Sequence, residues 1–114
     1  MDYPKRKSPR IVNYDYSSPN YYFITICTHD KKCIFGKSDQ LNRYGKYAKE
    51  CLLKIEELNE NILIDKYVIM PNHVHAILIV SEMKENKSIS TVIGQYKTAV
   101  TKKIREINPS MEVW

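Results

Sequence analysis

The sequence lacks an apolar run long enough to cross a membrane. Its longest run, from Ala76 to Val80, has only 5 residues, whereas a transmembrane helix needs about 20. The first residues are basic, but no apolar stretch follows them as it does in an export signal. We therefore expect a chain without a membrane segment.

Cysteine is also scarce, and its spacing is uninformative for metal binding. Cys27, Cys33 and Cys51 are an odd number and form no CxxC pair. Cys27 and Cys51 fall in apolar patterns that predict core positions. The sequence therefore predicts free thiols in a reducing cytoplasm.

Acidic residues are outnumbered by basic ones in this chain of 114 residues. There are 18 Lys and Arg against 13 Asp and Glu, a formal charge of +5, which favours an anionic partner such as nucleic acid. The length suits one domain. We divide it into a proline-containing basic arm, residues 1–20, and a folded domain, residues 21–114.

Two groups of basic side chains are candidates for nucleic-acid binding. One lies in the arm and the other on a late helical segment: Lys5, Arg6, Lys7 and Arg10, then Lys97 and Lys102. The alternative is that both groups are only solvated, as a charged arm and a charged helix face.

Apolar periodicity predicts the order strand, helix, strand, strand, helix. The predicted strands are 21–28, 62–70 and one that begins at His73, and the second and third of them should form a hairpin. The first helix follows its candidate N-cap Asn42 and carries an apolar stripe from Tyr44 to Leu58. The second helix can be capped by Ser88 or Ser90 and carries an apolar stripe from Ile89 to Ile107. Residues 29–40 are expected to form a loop, and residues 111–114 to begin a further strand. This order indicates an α+β, ferredoxin-like fold, with an antiparallel sheet, two helices on one face and the other face open. The alternate residues Val74, Ala76, Leu78 and Val80 should face the helices, which leaves His73 and His75 on the open face.

The most informative feature is the pair His73 and His75. The apolar run that follows predicts a strand, where side chains at i and i+2 point to one face and their Cα atoms lie about 6.5 Å apart. Two imidazoles so placed could converge on one metal ion or one phosphate. The alternative is a pair of half-exposed histidines on a solvated sheet face. A closed zinc site is excluded, because two histidines without matched Cys or His partners do not complete a tetrahedron.

Several segments resemble the REP-associated and related single-tyrosine HUH transposases. They are YDY at residues 14–16, YFITICTH at 22–29, CIFG at 33–36, VIMPNHVH at 68–75, IGQYKTAVT at 93–101 and VW at 113–114. The resemblance implies a ferredoxin-like nuclease domain that acts on single-stranded DNA with imperfect hairpins. It also implies that His73 and His75 hold a divalent cation, Mg or Mn, and serve the catalytic step.

The resemblance further implies a tyrosine nucleophile on a C-terminal helix, which stays joined to the DNA 5′ end. In relatives that tyrosine follows the segment matching Val113 and Trp114, so we expect no nucleophile within this chain, which is either truncated or a fragment. Tyr96 lies on the apolar stripe and is expected to be a core residue. His29 matches a variable loop position and is expected at the surface.

A second function remains open at this point. A ferredoxin-like module could bind nucleic acid without catalysis, with Tyr21, Tyr22 and Phe23 stacking on bases and the arm holding phosphates. The transposase hypothesis requires a metal and both histidines, whereas the binding module requires neither. Some relatives of the resembled family are homodimers and others monomers, so a homodimer is possible.

Overall fold

The backbone forms a three-stranded antiparallel sheet with two helices and a small hairpin, in a computed structural model that describes residues 20–81 and 88–114. The arm residues Lys5, Arg6, Lys7 and Arg10 lie outside the described residues. The elements are β1 (Asn20–Cys27), β2 (Gly36–Lys37), β3 (Gln40–Leu41), α1 (Arg43–Leu58), β4 (Ile62–Met70), β5 (His73–Val80) and α2 (Ile89–Arg105).

β5 is the central strand of the sheet, whose order is β1-β5-β4. β4 and β5 form the predicted hairpin, joined by Pro71 and Asn72, and a register shift between Ile64 and Lys66 leaves Asp65 as an extra residue in β4. β1 pairs antiparallel with the other side of β5. The fold class is therefore as predicted: an antiparallel sheet of ferredoxin-like order with two helices.

Residues 29–40 are more ordered than the expected loop. They contain a short 3-10 helix, His29–Lys31, and the hairpin of β2 and β3. Phe35 is fully buried, its N–H donates to the Pro71 carbonyl at 3.1 Å, and its own carbonyl accepts from Asn42 N. A Cβ at Gly45 would lie 2.4 Å from that carbonyl, so only glycine lets α1 approach so closely.

Both helices begin at side-chain caps: Asn42, as predicted, and Ser88, one of the two serines that the sequence offers. The Asn42 side chain accepts from Gly45 N at 2.9 Å, and Ser88 Oγ accepts from Thr91 N at 3.2 Å. The predicted apolar stripes extend beyond the buried part of each helix. Leu58, the last residue of α1, is 73% exposed, and Ile107 lies beyond the end of α2 and is 43% exposed.

The hydrophobic core lies between the helices and one face of the sheet. β5 contributes Val74, Ala76, Leu78 and Val80, and the helices contribute Ala48, Cys51, Leu52, Ile55, Val92, Tyr96, Val100 and Ile104. Cys51 is buried as predicted, but the prediction for Cys27 is wrong. Cys27 is exposed because it pairs with His73 on the open face, while its neighbour Ile26 is the buried residue of β1.

The last residues, 111–114, form no strand in the described part of the chain, contrary to expectation. Val113 is nevertheless buried, and its carbonyl accepts from His29 N at 2.9 Å, just beyond the end of β1. Neither described helix is both long and apolar enough to cross a bilayer.

Candidate functional site

His73 and His75 lie side by side on the open face of β5, as the i, i+2 spacing predicts. Their ring centroids are 4.5 Å apart, and the rings meet edge to face at 82°. His73 is half-buried and His75 is exposed. The residues between and after them, Val74 and Ala76, point into the core, so strand alternation alone fixes the direction of both imidazoles.

Each imidazole is held through its Nδ1 atom. His73 Nδ1 lies 2.7 Å from Asn72 Oδ1, and His75 Nδ1 lies 3.0 Å from Thr25 Oγ1, on the neighbouring strand. Nε2 is then the nitrogen of each ring that remains for a ligand. A second hydrogen bond of this kind is the usual support of a metal-binding histidine, because it fixes both the ring orientation and the tautomer.

The pKa of His73 is lowered from its ordinary value. Partial burial is the main cause, because it disfavours the charged imidazolium, and the nearby charge of His75 adds to it. Both causes favour the neutral ring, which is the form that can donate a nitrogen lone pair.

Cross-strand neighbours set the chemistry around the pair. Thr25 and Val68 flank His75, and Cys27 and Met70 flank His73 in the register of the sheet. A depression of about 460 Å³ lies beside His75, lined among others by Phe23, Thr25, Lys66 and Val68. The site therefore combines two nitrogen donors with an open, largely apolar floor and one lysine.

The two imidazoles fit part of a cation site. Among residues 20–81 and 88–114, no His, Cys, Asp or Glu joins them to make a group of three that could hold a metal ion. Mg²⁺ and Mn²⁺ prefer six ligands and accept water and phosphate oxygens among them. Two neutral imidazoles are thus compatible with such an ion when other oxygen donors complete its shell.

Lys97 and Lys102 do not lie beside the histidines. Both are on α2, which packs on the opposite face of the sheet through Val92, Val100 and others. Lys102 is exposed, whereas Lys97 is half-buried, and its backbone carbonyl accepts from Trp114 Nε1 at 3.2 Å. Sequence periodicity placed these lysines off the apolar stripe, and the predicted fold already had the helices on the face of the sheet opposite to the histidines.

Tyr96 is a core residue, as expected. Its hydroxyl donates to the Ala48 carbonyl at 2.9 Å, and its ring lies 5.9 Å from that of Trp114. Burial raises the pKa of Tyr96, which disfavours the phenolate that a nucleophile would need. The sheet separates it from the two histidines.

His29 is partly exposed, as expected, and does not join the pair in a group that could hold a metal ion. Its Nε2 is 3.0 Å from Glu112 Oε1 and 3.4 Å from Asp30 Oδ2. These contacts join the loop after β1 to the C-terminal segment, so His29 has a structural setting of its own.

Two residues of the site were missed in the sequence. Asn72 reads as a turn residue, and Thr25 as an ordinary strand residue. Thr25 can be recognised as a site residue only when the register of β1 on β5 is known, because that register places Thr25 opposite His75. The adjacency of Asn72 to His73 was the available signal, since an amide next to a paired imidazole can bond to it.

Comparison with known proteins adds four findings. Residues 16–114 match the family described as "Transposase IS200 like". An uncharacterized protein of Haemophilus influenzae is 33% identical over 132 residues, covering 96% of this chain and 73% of that protein. A Deinococcus radiodurans R1 protein, provisionally described as a transposase, superposes with a TM-score of 0.61 at 18% identity, over 91% of this chain and 70% of its own.

The fourth finding is a similarity to a REP-associated tyrosine transposase solved with a REP hairpin bound. The TM-score is 0.54 at 14% identity, over 96% of this chain and 57% of that one. At these identities the two solved structures show only that the fold is shared. The match over residues 16–114 is what shows that the chain is related to the family.

Proposed function

Because the chain belongs to the family of IS200-like transposases, we propose that it is the metal-assisted endonuclease and strand-transfer domain for single-stranded DNA that carries hairpins. The observation that carries this proposal is the imidazole pair. Both rings share the open face of the sheet, 4.5 Å apart, and both are held at Nδ1.

We propose His73 and His75 as ligands of Mg or Mn, and as the residues of this chain that serve the catalytic step. The two imidazoles would hold a divalent cation, which would supply positive charge next to the scissile phosphate. The two rings would orient it through Nε2, while Asn72 and Thr25 keep them in place. Since two imidazoles fill only part of an octahedral shell, we expect weak binding without DNA.

The nucleophile is expected outside these 114 residues. We propose, from the family that the chain resembles, that it lies on a helix following the segment that matches Val113 and Trp114. Tyr96 is an unsuitable replacement, because its buried hydroxyl is bonded to Ala48 and lies on the other side of the sheet. A covalent tyrosine–phosphate bond would conserve the energy of the broken DNA bond for rejoining.

A DNA hairpin is the proposed substrate feature. The structural neighbour that holds a REP hairpin supports this by analogy of fold, and the formal charge of +5 favours a polyanion. Roles for Lys5, Arg6, Lys7 and Arg10 in the arm, and for Lys97 and Lys102 on α2, stay predictions, as does a homodimer.

The test is covalent capture of DNA. A polypeptide extended by the family's C-terminal helix is incubated with a labelled hairpin DNA and Mn²⁺, and a denaturing gel detects protein-linked label. We expect an adduct that needs Mn²⁺ and disappears in His73→Ala and in His75→Ala. His29→Ala is the matched control, since the third histidine contacts Glu112 and Asp30 and does not join the pair, and it should leave the adduct intact.

The 114-residue chain should bind the same hairpin without forming an adduct. An adduct that forms without divalent ions, or survives loss of both histidines, would contradict the proposed site. Hairpin binding without any adduct in the extended polypeptide would favour the non-catalytic binding module instead.

A further inference from the structure

The turn that precedes the two histidines is anchored from two sides. Thr28, which is buried, donates its N–H to the Asn72 carbonyl at 3.0 Å. Its hydroxyl lies 2.7 Å from the Lys32 carbonyl and 3.1 Å from the Asn72 carbonyl, and its one hydrogen can be donated to only one of them at a time. Phe35 N donates to the neighbouring Pro71 carbonyl at 3.1 Å. These bonds hold the backbone of the turn without any contact from the Asn72 side chain.

The Asn72 side chain bridges this turn to His73 in one orientation. Its Nδ2 donates to the Lys31 carbonyl at 3.3 Å, and its Oδ1 lies 2.7 Å from His73 Nδ1. Only the amide nitrogen can donate to a carbonyl, so the contact with Lys31 identifies the oxygen as the atom turned toward His73. A carbonyl oxygen only accepts, so His73 Nδ1 must carry the hydrogen.

The Lys31 carbonyl is brought to Asn72 by an unusual loop. Asp30 and Lys31 have φ values of 52° and 54°, a left-handed conformation that is costly for residues other than glycine. Hydrogen bonds from Lys31 N to Thr28 and from Lys32 N to His29 hold the loop in this shape. The two left-handed residues, Asp30 and Lys31, thus lie where the loop supplies the carbonyl that accepts from the Asn72 amide.

His75 is held differently. Its Nδ1 faces the Thr25 hydroxyl, which can either donate or accept. Thr25 can therefore hold the ring in place but does not decide which nitrogen carries the hydrogen. The contrast assigns a more specific task to Asn72 than to Thr25.

We propose that Asn72 is a positioning residue that selects the Nδ1–H form of His73 and so presents the Nε2 lone pair on the open face of the sheet. The use of that lone pair for a metal rests on the proposed function. The selection of the tautomer rests only on the contacts of Asn72 with Lys31 and His73.

The tautomer can be measured without metal or DNA. Long-range ¹H–¹⁵N correlation spectra of the ¹⁵N-labelled chain, recorded well above the ordinary imidazole pKa of about 6.5, distinguish protonated from unprotonated ring nitrogens. We expect Nδ1–H at His73 in the unaltered chain. Asn72→Ala should shift His73 toward Nε2–H, the form that a free imidazole prefers in water.

Two further variants separate positioning from general stability. Asn72→Asp should restore Nδ1–H, because a carboxylate also accepts from Nδ1. Thr25→Val is the matched control: it removes the corresponding contact from His75 and should leave the tautomer of His73 unchanged. An Nε2–H form in the unaltered chain, or an unchanged tautomer in Asn72→Ala, would overturn the proposal. If Asn72→Ala does not fold by circular dichroism, Asn72→Leu takes its place, because leucine is close to asparagine in size but cannot accept the hydrogen of Nδ1.

Manganese binding provides the second readout. Loss of a hydrogen bond behind a metal-binding histidine weakens affinity by about 10- to 100-fold, so we expect that loss in Asn72→Ala and recovery in Asn72→Asp. If the tautomer responds as expected but the unaltered chain does not bind Mn²⁺, positioning by Asn72 stands and the proposed metal function fails. Equal Mn²⁺ affinity in the unaltered chain and in Asn72→Ala would contradict a positioning role toward the metal.

Discussion

The two faces of β5 show how one strand serves two purposes. Val74, Ala76, Leu78 and Val80 are each no more than 4% exposed and pack under the helices. The alternate residues, His73, His75, Ile77 and Ile79, lie on the open face and are half-buried or exposed. Since side chains alternate along a strand, packing of the first set fixes the position of the second. The site is therefore supported by a core that it does not touch.

Shortening a side chain on the covered face should have the largest effect. Leu78→Ala should lower the free energy of unfolding by about 2–5 kcal/mol, because it leaves a cavity among fully buried side chains. Ile79→Ala, the next residue but on the open face, should cost clearly less. Urea unfolding followed by circular dichroism measures both. Equal losses would show that the open face is covered in solution.

Hydrophobic alternation predicts these two faces because it depends on local geometry. The histidines could be assigned to one face of a strand from the pattern around them. Asn42 could be assigned as a cap from its place before an apolar stripe, whereas the second cap was narrowed only to Ser88 or Ser90. The hairpin of β4 and β5 follows for the same reason, since Pro71 and Asn72 are turn residues between two apolar strands.

Features that depend on pairing between distant segments could not be predicted in this way. Cys27 looks like a core residue until the register places it opposite His73. Phe35 lies in a segment that reads as a loop, yet it is fully buried beside Trp114. Thr25, which holds His75, likewise depends on a contact between residues 50 positions apart in the sequence. The sequence therefore identifies the two histidines but not the residues that orient their rings.

A matched pair of tyrosines tests the difference between the covered and the open face, with an expected effect of intermediate size. Tyr96→Phe removes a buried hydroxyl and leaves the Ala48 carbonyl without that donor, so we expect a loss of about 1–3 kcal/mol in unfolding free energy. Tyr21 is 61% exposed on the open face, and Tyr21→Phe should change stability by no more than about 0.5 kcal/mol. Urea unfolding distinguishes the two, and a larger loss in Tyr21→Phe would contradict the assignment of the faces.

The smallest effect should come from protonation of His73. Its pKa is lowered in the folded chain by partial burial and by His75, so the unfolded chain binds this proton more readily. Stability must then rise with pH between the lowered pKa and the unfolded value of about 6.5, and become constant above it. Urea unfolding across this pH range gives the difference in unfolding free energy between the unaltered chain and His73→Ala. This difference isolates the contribution of His73, because His29 and His75 are present in both chains. A difference that falls as pH rises would mean that the folded chain instead stabilises the imidazolium, and the open face would then hold a cation of its own rather than a site prepared for one.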